Sequence, residues 1–304
     1  MDLLLAATLP DASALAGLLL YLTLIAAAAF AGGSSVAFLT LGHRPMQVLL
    51  SLTGGVLLGV GMLHLFPHAC LALRGDVETT AAWAVGGFFF MFLLERAFHG
   101  HAHHTADGGQ TCGHGHDHGH HAAHAHAAPT SPWAWCGAFA GLALHSLADG
   151  AALAAAVNAD AAHGGGVLSG LATFLAILLH KPFDAAIIAT LMASAGTTPR
   201  LRTVVNAAYA LVVPLGAAGF LASLQLFGTH QADVLGIAMA MAAGGFLCIA
   251  AADLLPEVQF HSHDRVLLTA SLALGLTLAW GISVIERSSH SHAAHAGAAA
   301  RDAH

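Results

Sequence analysis

Hydrophobic and polar positions alternate in long blocks along the chain. Mostly apolar runs of about 20 residues, the length that a helix needs to cross a bilayer, fall in eight windows: 13–38, 47–71, 79–98, 132–157, 164–194, 200–227, 233–257 and 265–286. Glycine, proline or charged residues separate these windows. The pattern predicts an all-α integral membrane protein, a bundle of eight transmembrane helices.

One of the breaks is much longer than the others, and it divides the bundle without creating a second domain. Residues 1–98 hold the predicted helices 1–3, and residues 132–287 hold helices 4–8. Residues 288–304 form a histidine-containing C-terminal tail. The long break, residues 99–131, has too few large apolar side chains to form a core, so we expect it to be a disordered loop.

Histidines crowd this loop, and histidine-rich tracts of this kind bind metal ions. The loop residues that we select as ligands are His114, His116, His118 and His120. A weaker run of histidines closes the C-terminal tail. Solvated filler is the alternative interpretation of both segments. We interpret the loop as a metal-binding segment.

Composition supports a membrane protein and adds a chemical indication. The chain is 57% hydrophobic and 8% charged, with a mean hydropathy of +0.73, whereas a soluble domain carries roughly 25% charged residues. Its formal charge of -7 leaves out 24 histidines, and imidazole is the commonest metal ligand among side chains. The four cysteines form no C-x-x-C pair. No nucleotide-binding motif is found, and we expect no nucleic-acid partner.

Ligand-type side chains lie inside predicted helices 4 and 5, where a charged group costs at least about 2.5 to 3.5 kcal/mol. His145 and Asp149 share one face of helix 4, and His180 and Asp184 repeat the spacing in helix 5. A short loop makes the two helices antiparallel neighbours, so the four side chains can converge on a zinc-type site. Pro182 is expected to kink helix 5 and to free a carbonyl there. The alternative is that each histidine only bonds a neighbouring helix.

Two further pairs flank this central site. His64 and His68 share a face in the outer half of helix 2 and indicate an entrance for the metal, although packing or hydrogen bonding alone would also explain them. Asp253 and Glu257 have the same spacing at the opposite end of helix 7 and indicate an exit. Glu257 also fits an ordinary solvated helix end.

The residues around these pairs resemble the ZIP (Zrt/Irt-like) family of divalent metal transporters. The segments that carry the resemblance to its fourth and fifth helices are His145-Ser-Leu-Ala-Asp149-Gly150 and His180-Lys-Pro-Phe-Asp184. Residues 61–69 resemble the second helix of its LIV-1-like branch, and residues 213–216 and 244–257 resemble its sixth and seventh helices. The likeness covers nearly the whole chain.

The resemblance implies a transporter rather than an enzyme. Its primary transport site would consist of His145, Asp149, His180 and Asp184, with Ser146 as an auxiliary residue. The implied substrate is Zn²⁺, with Fe²⁺, Mn²⁺, Co²⁺ and Cd²⁺ as further possibilities. The implied movement is toward the cytoplasm by alternating access. Both termini would then lie outside a plasma membrane or a bacterial inner membrane.

The sequence departs from the family pattern at two positions. Many members have a second metal site that uses an acidic or amide group directly after the histidine of helix 5 and an acid directly before the proline of helix 6. Lys181 and Val213 occupy those positions here. We interpret the Lys181 ammonium as a substitute for the second cation, placed against Asp149 or Asp184 in a single-metal site. The alternative is that Lys181 extends to an aqueous cavity.

Positive charges in short loops favour the same orientation, although weakly. With the termini outside, the arginines on the cytoplasmic side are Arg44, Arg96, Arg200, Arg202 and Arg265. Two other functions stay open from the residues alone: an intramembrane zinc-dependent hydrolase and a metal efflux carrier. The many small residues are also compatible with a homodimer.

Overall fold

The computed structural model describes residues 11–36, 43–103, 134–162, 168–251 and 265–301. Helices make up these ranges, with no strand among the described residues. The α-helices, numbered in chain order, are α1 (Ala12–Ser35), α2 (His43–Val60), α3 (Phe66–Ala72), α4 (Val77–His103), α5 (Ala134–Ala162), α6 (Leu171–Ser194), α7 (Pro199–Ala210), α8 (Val212–Leu226), α9 (Gln231–Ile249) and α10 (Arg265–Arg301).

These helices provide eight stretches that are long and apolar enough to cross a membrane. Six are formed by α1, α4, α5, α6, α9 and α10, and two are composite: α2 continues into α3, and α7 into α8. A bilayer core contains no water, so a segment that crosses it must form hydrogen bonds among its own backbone groups, as a helix does. The predicted all-α, eight-helix membrane fold is confirmed.

Local interruptions occur in both composite spans. A π-helical turn, Gly61–Leu65, joins α2 to α3 and contains His64; such turns often lie at functional sites. The α7–α8 break falls at Leu211, whose N–H donates to the carbonyl of Ala208 (3.2 Å) in a tighter turn. Pro214 explains the break, because its ring clashes with the carbonyl four residues earlier and it has no N–H to donate. By contrast, α6 runs through Pro182 as one helix, and the predicted kink stays a prediction.

Polar caps define where helices begin. The Asp11 carboxylate accepts a hydrogen bond from the N–H of Ala14 (2.8 Å) at the start of α1. At the start of α4, the Asp76 carboxylate accepts hydrogen bonds from the N–H and the hydroxyl of Thr79 (2.9 and 2.7 Å). These bonds hold the pKa of Asp76 below its ordinary value. The charged breaks in the sequence therefore act as helix starts.

The helices fall into two groups by their packing. The first group contains α1, α5, α6, α7 and α8, and the second contains α2, α3, α4, α9 and α10. Within each group, pairs of helices pack with their backbones in close contact, as small residues allow. Gly150 of α5 faces the carbonyl of Val213 in α8, and Gly87 of α4 faces the carbonyl of Met241 in α9. A β-carbon at either glycine would collide with that backbone.

Large apolar side chains cover the outside of the bundle. Leu19, Val85, Phe89, Leu215 and Val266 are all more than half exposed, which is the distribution expected where lipid replaces water. Two helices extend past the predicted spans. Helix α4 continues through residues 99–103, the first part of the predicted loop, and α10 continues into the predicted C-terminal tail.

Several predicted ligands lie outside the described residues. They are the loop histidines His114, His116, His118 and His120 and the predicted exit pair Asp253 and Glu257. Their roles stay predictions.

Candidate metal site

Three metal-type side chains meet on two helices of the first group, α5 and α6. His145 and Asp149 lie one turn apart on α5, and His180 lies on α6; all three are buried. The Nε2 atoms of His145 and His180 are 3.3 Å apart. They lie 3.2 and 3.3 Å from Oδ2 of Asp149. Donor atoms on a tetrahedral zinc ion, at about 2.0 to 2.1 Å from the metal, stand about 3.3 Å from one another, so the spacing fits one ion.

A backbone contact orients one of the two imidazoles. Nδ1 of His180 lies 2.7 Å from the carbonyl oxygen of Ala176. Because a carbonyl can only accept, Nδ1 must carry the proton, which leaves the Nε2 lone pair of the neutral ring facing His145 and Asp149. Metal-binding histidines commonly have their second nitrogen held in this way.

Asp184, the fourth predicted ligand, is adjacent to these three but is not among the mutually close donors. Its Oδ2 lies 3.9 Å from Nε2 of His145. Two other groups donate hydrogen bonds to that oxygen: the Lys181 ammonium (2.9 Å) and the Tyr209 hydroxyl (3.2 Å). Three of the four predicted ligands therefore lie at mutual distances that suit one metal ion, and Asp184 lies beside them. The role of all four as metal ligands stays a prediction.

Lys181 lies between the two carboxylates. Its side chain is fully buried, and its ammonium contacts Oδ2 of Asp149 as well as Oδ2 of Asp184. The ammonium therefore points toward the carboxylates and not toward an aqueous end of the bundle. One buried cation thus faces two carboxylates, an arrangement in which the charges compensate for part of the cost of leaving water. Val213, the second departure from the family pattern, is a buried residue of α8.

Ser146 and Tyr209 extend this polar network. The Ser146 hydroxyl donates to the carbonyl of Leu142 (2.7 Å) and lies 2.9 Å from the Tyr209 hydroxyl. Ser146 was predicted as an auxiliary residue, whereas the sequence prediction missed Tyr209. A single tyrosine in the sixth apolar window has no spacing pattern, and its polar hydroxyl was the only available signal.

A second cluster lies where α5 ends. His64 and His68 face Asp160, which is also buried: Nδ1 of His68 is 3.1 Å from Oδ1 of Asp160, and Nε2 of His64 is 3.8 Å from Oδ2. The sequence prediction missed Asp160, because the fourth apolar window ended at residue 157. Helix α5 continues to Ala162 and carries Asp160 into the bundle.

An apolar cavity of about 210 Å³ opens beside the central cluster. Side chains of α4 and α9 form most of its wall, among them Met91, Met241 and Phe246, while His145 and Asp149 contribute its polar part. The cavity therefore brings open volume to the edge of the central donors.

The bundle and its centre together define a class of protein: a helical integral membrane protein whose buried imidazoles and carboxylates are spaced for a metal ion. The sequence model of the family described as ZIP zinc transporter matches residues 12–134 and 109–286. The chain belongs to this family. The predicted resemblance to this family is thereby confirmed.

Two curated relatives are similar to the chain. One is "Zinc transporter ZIP9" of Micropogonias undulatus, 30% identical over 207 residues that cover 65% of this chain and 54% of the relative. The other is "Zinc transporter ZIP2" of Mus musculus, 27% identical over 252 residues that cover 71% of this chain and 77% of the relative. The chain thus spans about half the length of the first relative. Both are named as zinc transporters.

Proposed function

We propose that this protein carries Zn²⁺ across the membrane toward the cytoplasm, by alternating access through the central site. The observation that carries the proposal is the mutual spacing of His145, Asp149 and His180, three buried donors from two helices at the separations that a tetrahedral zinc ion requires. Asp184 is the fourth ligand in this proposal, because its Oδ2 lies 3.9 Å from Nε2 of His145.

The central site holds one metal ion at a time. Lys181 supplies a permanent cation to Asp149 and Asp184, where two carboxylates without metal would otherwise repel each other. When zinc arrives, its charge takes over at Asp149, and the ammonium remains against Asp184. A site that does not collapse when empty can bind strongly enough to load the ion and weakly enough to release it.

Both termini lie outside in this proposal, in a plasma membrane or a bacterial inner membrane. Support comes from the arginines, because most of those in short connections belong to one end of the bundle. Arg74 belongs to the other end, where its guanidinium lies 3.4 Å from the carboxylate of Asp233. A membrane-impermeant thiol reagent applied to intact cells tests the orientation: a Ser13→Cys variant should react, and a Thr198→Cys variant should not.

Other parts of the chain complete the transport path. The histidines of the 99–131 loop receive the ion on the cytoplasmic side, and Asp253 and Glu257 form the exit toward them. Fe²⁺, Mn²⁺, Co²⁺ and Cd²⁺ also fit two imidazoles and two carboxylates, so each should compete with zinc for uptake. A homodimer stays a prediction, and light scattering of the purified protein in detergent measures its mass.

The test is uptake into proteoliposomes that contain a zinc-sensitive dye, with zinc supplied on one side. Wild type should transport, whereas His180→Ala and Asp149→Asn should lose nearly all flux. His230→Ala is the matched control, because this histidine is 75% exposed on a turn far along the chain from the site. Lipid turnover without flux would favour the hydrolase instead, and export without import would favour the efflux carrier.

A further inference from the structure

Asp160 completes a cluster whose purpose the central transport site does not explain. It lies near the C-terminal end of α5, and His64 and His68 approach it from the π-turn and from α3. One ligand atom from each of the three residues lies within 4.8 Å of the other two. We propose that His64, His68 and Asp160 form a second zinc site, separate from the central one, that captures the ion before it reaches Asp149.

The donor atoms of this cluster are close enough for one metal ion to contact all three residues. Donors on tetrahedral zinc stand about 3.3 Å apart, and the two imidazole-to-carboxylate distances, 3.1 and 3.8 Å, lie on either side of that value. The shorter distance, from Nδ1 of His68 to Oδ1 of Asp160, is also within hydrogen-bond range. The two rings are tilted by 40° with their centroids 4.6 Å apart, and both imidazoles approach the same carboxylate.

His64 lies within the π-turn, a feature often found at functional sites. A π-turn inserts one extra residue into a helix and rotates the side chains that follow relative to those before it. The turn lies directly before α3, which carries His68. His64 is buried, whereas the side chain of His68 keeps 15% of its surface exposed. The site therefore has two buried ligands and one that is partly exposed, as an entry site requires.

A structural role for Asp160 alone is the competing explanation. Its Oδ2 also accepts a hydrogen bond from the backbone N–H of Gly170 (2.6 Å), just before α6 begins. That bond ties the α5–α6 connection to the bundle. A carboxylate has about four acceptor positions, so the bond from Gly170 leaves room at Asp160 for both imidazoles, directly or through a metal ion. The two roles are separable, since an amide oxygen can accept from Gly170 but binds zinc poorly.

The position of the cluster relative to the central site supports capture. Asp160 follows Asp149 by eleven residues on α5, which is a rise of about 16 Å and just over three whole turns, so both carboxylates lie on one face of the helix. Ala152, Leu153 and Ala156 lie between them and are fully buried. The two sites are therefore in line and separated by packed side chains. The capture role rests on the proposed function, whereas zinc binding by the cluster does not.

The test measures zinc at this site directly in the full-length protein. A His68→Cys variant keeps a metal ligand at the position, because a thiolate also binds zinc. Iodoacetamide labelling of that thiol, quantified by mass spectrometry of its peptide, should slow when zinc is added. Cys70 is the internal control: it is two residues away on another side of α3, and its labelling should not change with zinc. This readout is unaffected by metal bound to the histidine-rich loop.

Two further substitutions in the His68→Cys background identify the source of the protection. Asp160→Asn retains an acceptor for Gly170 and removes the charge, so the zinc concentration for half-protection should rise about tenfold or more, since even outer partners of metal ligands contribute 10- to 100-fold. His64→Gln should have a similar effect. Asp149→Asn should leave protection intact, because it alters only the central site. Protection that survives Asp160→Asn and His64→Gln, or that Asp149→Asn abolishes, would overturn the proposal.

Uptake then tests capture. In proteoliposomes, Asp160→Asn in the otherwise native chain should raise the zinc concentration for half-maximal uptake, with the maximal rate little changed, because loading is impaired and the central site is intact. A lower maximal rate at unchanged half-saturation would overturn capture. If wild type transports no zinc while the thiol is still protected, the proposed function fails and the second site stands.

Discussion

Lys181 provides the sharpest test of the central site. In Lys181→Met the carboxylates of Asp149 and Asp184 lose the cation between them, while the side-chain volume stays similar. Removing one partner of a buried ion pair costs about 3 to 5 kcal/mol. Lys181 is fully buried and Asp149 nearly so, whereas the Asp184 side chain is 14% exposed. Most of the cost therefore arises at Asp149, and the metal-free variant should be less stable than wild type by about 3 kcal/mol or more.

Zinc should reverse this loss, because a divalent ion neutralises the same two carboxylates. A ligand at 100 times its dissociation constant stabilises a protein by about 2.7 kcal/mol. In wild type the ammonium already compensates part of the charge, so we expect a smaller zinc-dependent rise in melting temperature than in Lys181→Met. The assay is thermal unfolding of the purified protein in detergent, with a chelator and then with increasing zinc.

Lys181→Arg is the matched control, since it retains the charge and should retain the small zinc response. The number of bound ions is a second readout: Lys181→Met should bind one more zinc than wild type, because the position of the ammonium becomes available. The explanation is refuted if the metal-free Lys181→Met protein melts at the wild-type temperature and responds equally to zinc. In that case the ammonium would have no role in balancing the carboxylates.

Two other predictions follow from packing and hydrogen bonding. Gly87→Ala places a methyl group against the carbonyl of Met241 and should lower the melting temperature, whereas Gly86→Ala, with open space at its β-carbon, should leave it unchanged or raise it; equal effects in the two variants would disprove the tight α4–α9 contact. Tyr209→Phe removes a hydrogen bond to Asp184, worth about 1.5 to 3 kcal/mol for a charged acceptor. Uptake kinetics should show an altered zinc half-saturation, and unchanged kinetics would exclude an orienting role for the hydroxyl.

Much of the fold follows from the sequence because lipid leaves few choices. A long apolar window must become a helix in a bilayer, whatever packs against it, and all eight windows did so. Spacing of four residues likewise places His145 beside Asp149 on any α-helix. The convergence of these residues with His180 required one more assumption, that helices joined by a short loop are neighbours.

The features that escaped prediction depend on contacts between distant parts of the chain. Asp160 lies beyond the apolar window of its helix, and its partners His68 and Gly170 belong to other parts of the chain. The role of Tyr209 is evident only from its hydrogen bond to Asp184, which is on another helix. The π-turn that contains His64 breaks the helical period locally, so no regular pattern in the sequence indicates it. Hydropathy indicates whether a segment lies in lipid or in water, but it does not identify the residues that the segment contacts.

The division of the bundle into two helix groups has different consequences for the two donor clusters. His145, Asp149, His180 and Asp184 all belong to the first group, so the central donors would travel together if one group slid along the other. The donors of the second cluster are divided between the groups: Asp160 belongs to the first group, while His64 and His68 belong to the second. The same sliding motion would separate those three residues. An ion bound there would then be passed inward or released each time access alternates from one side of the membrane to the other.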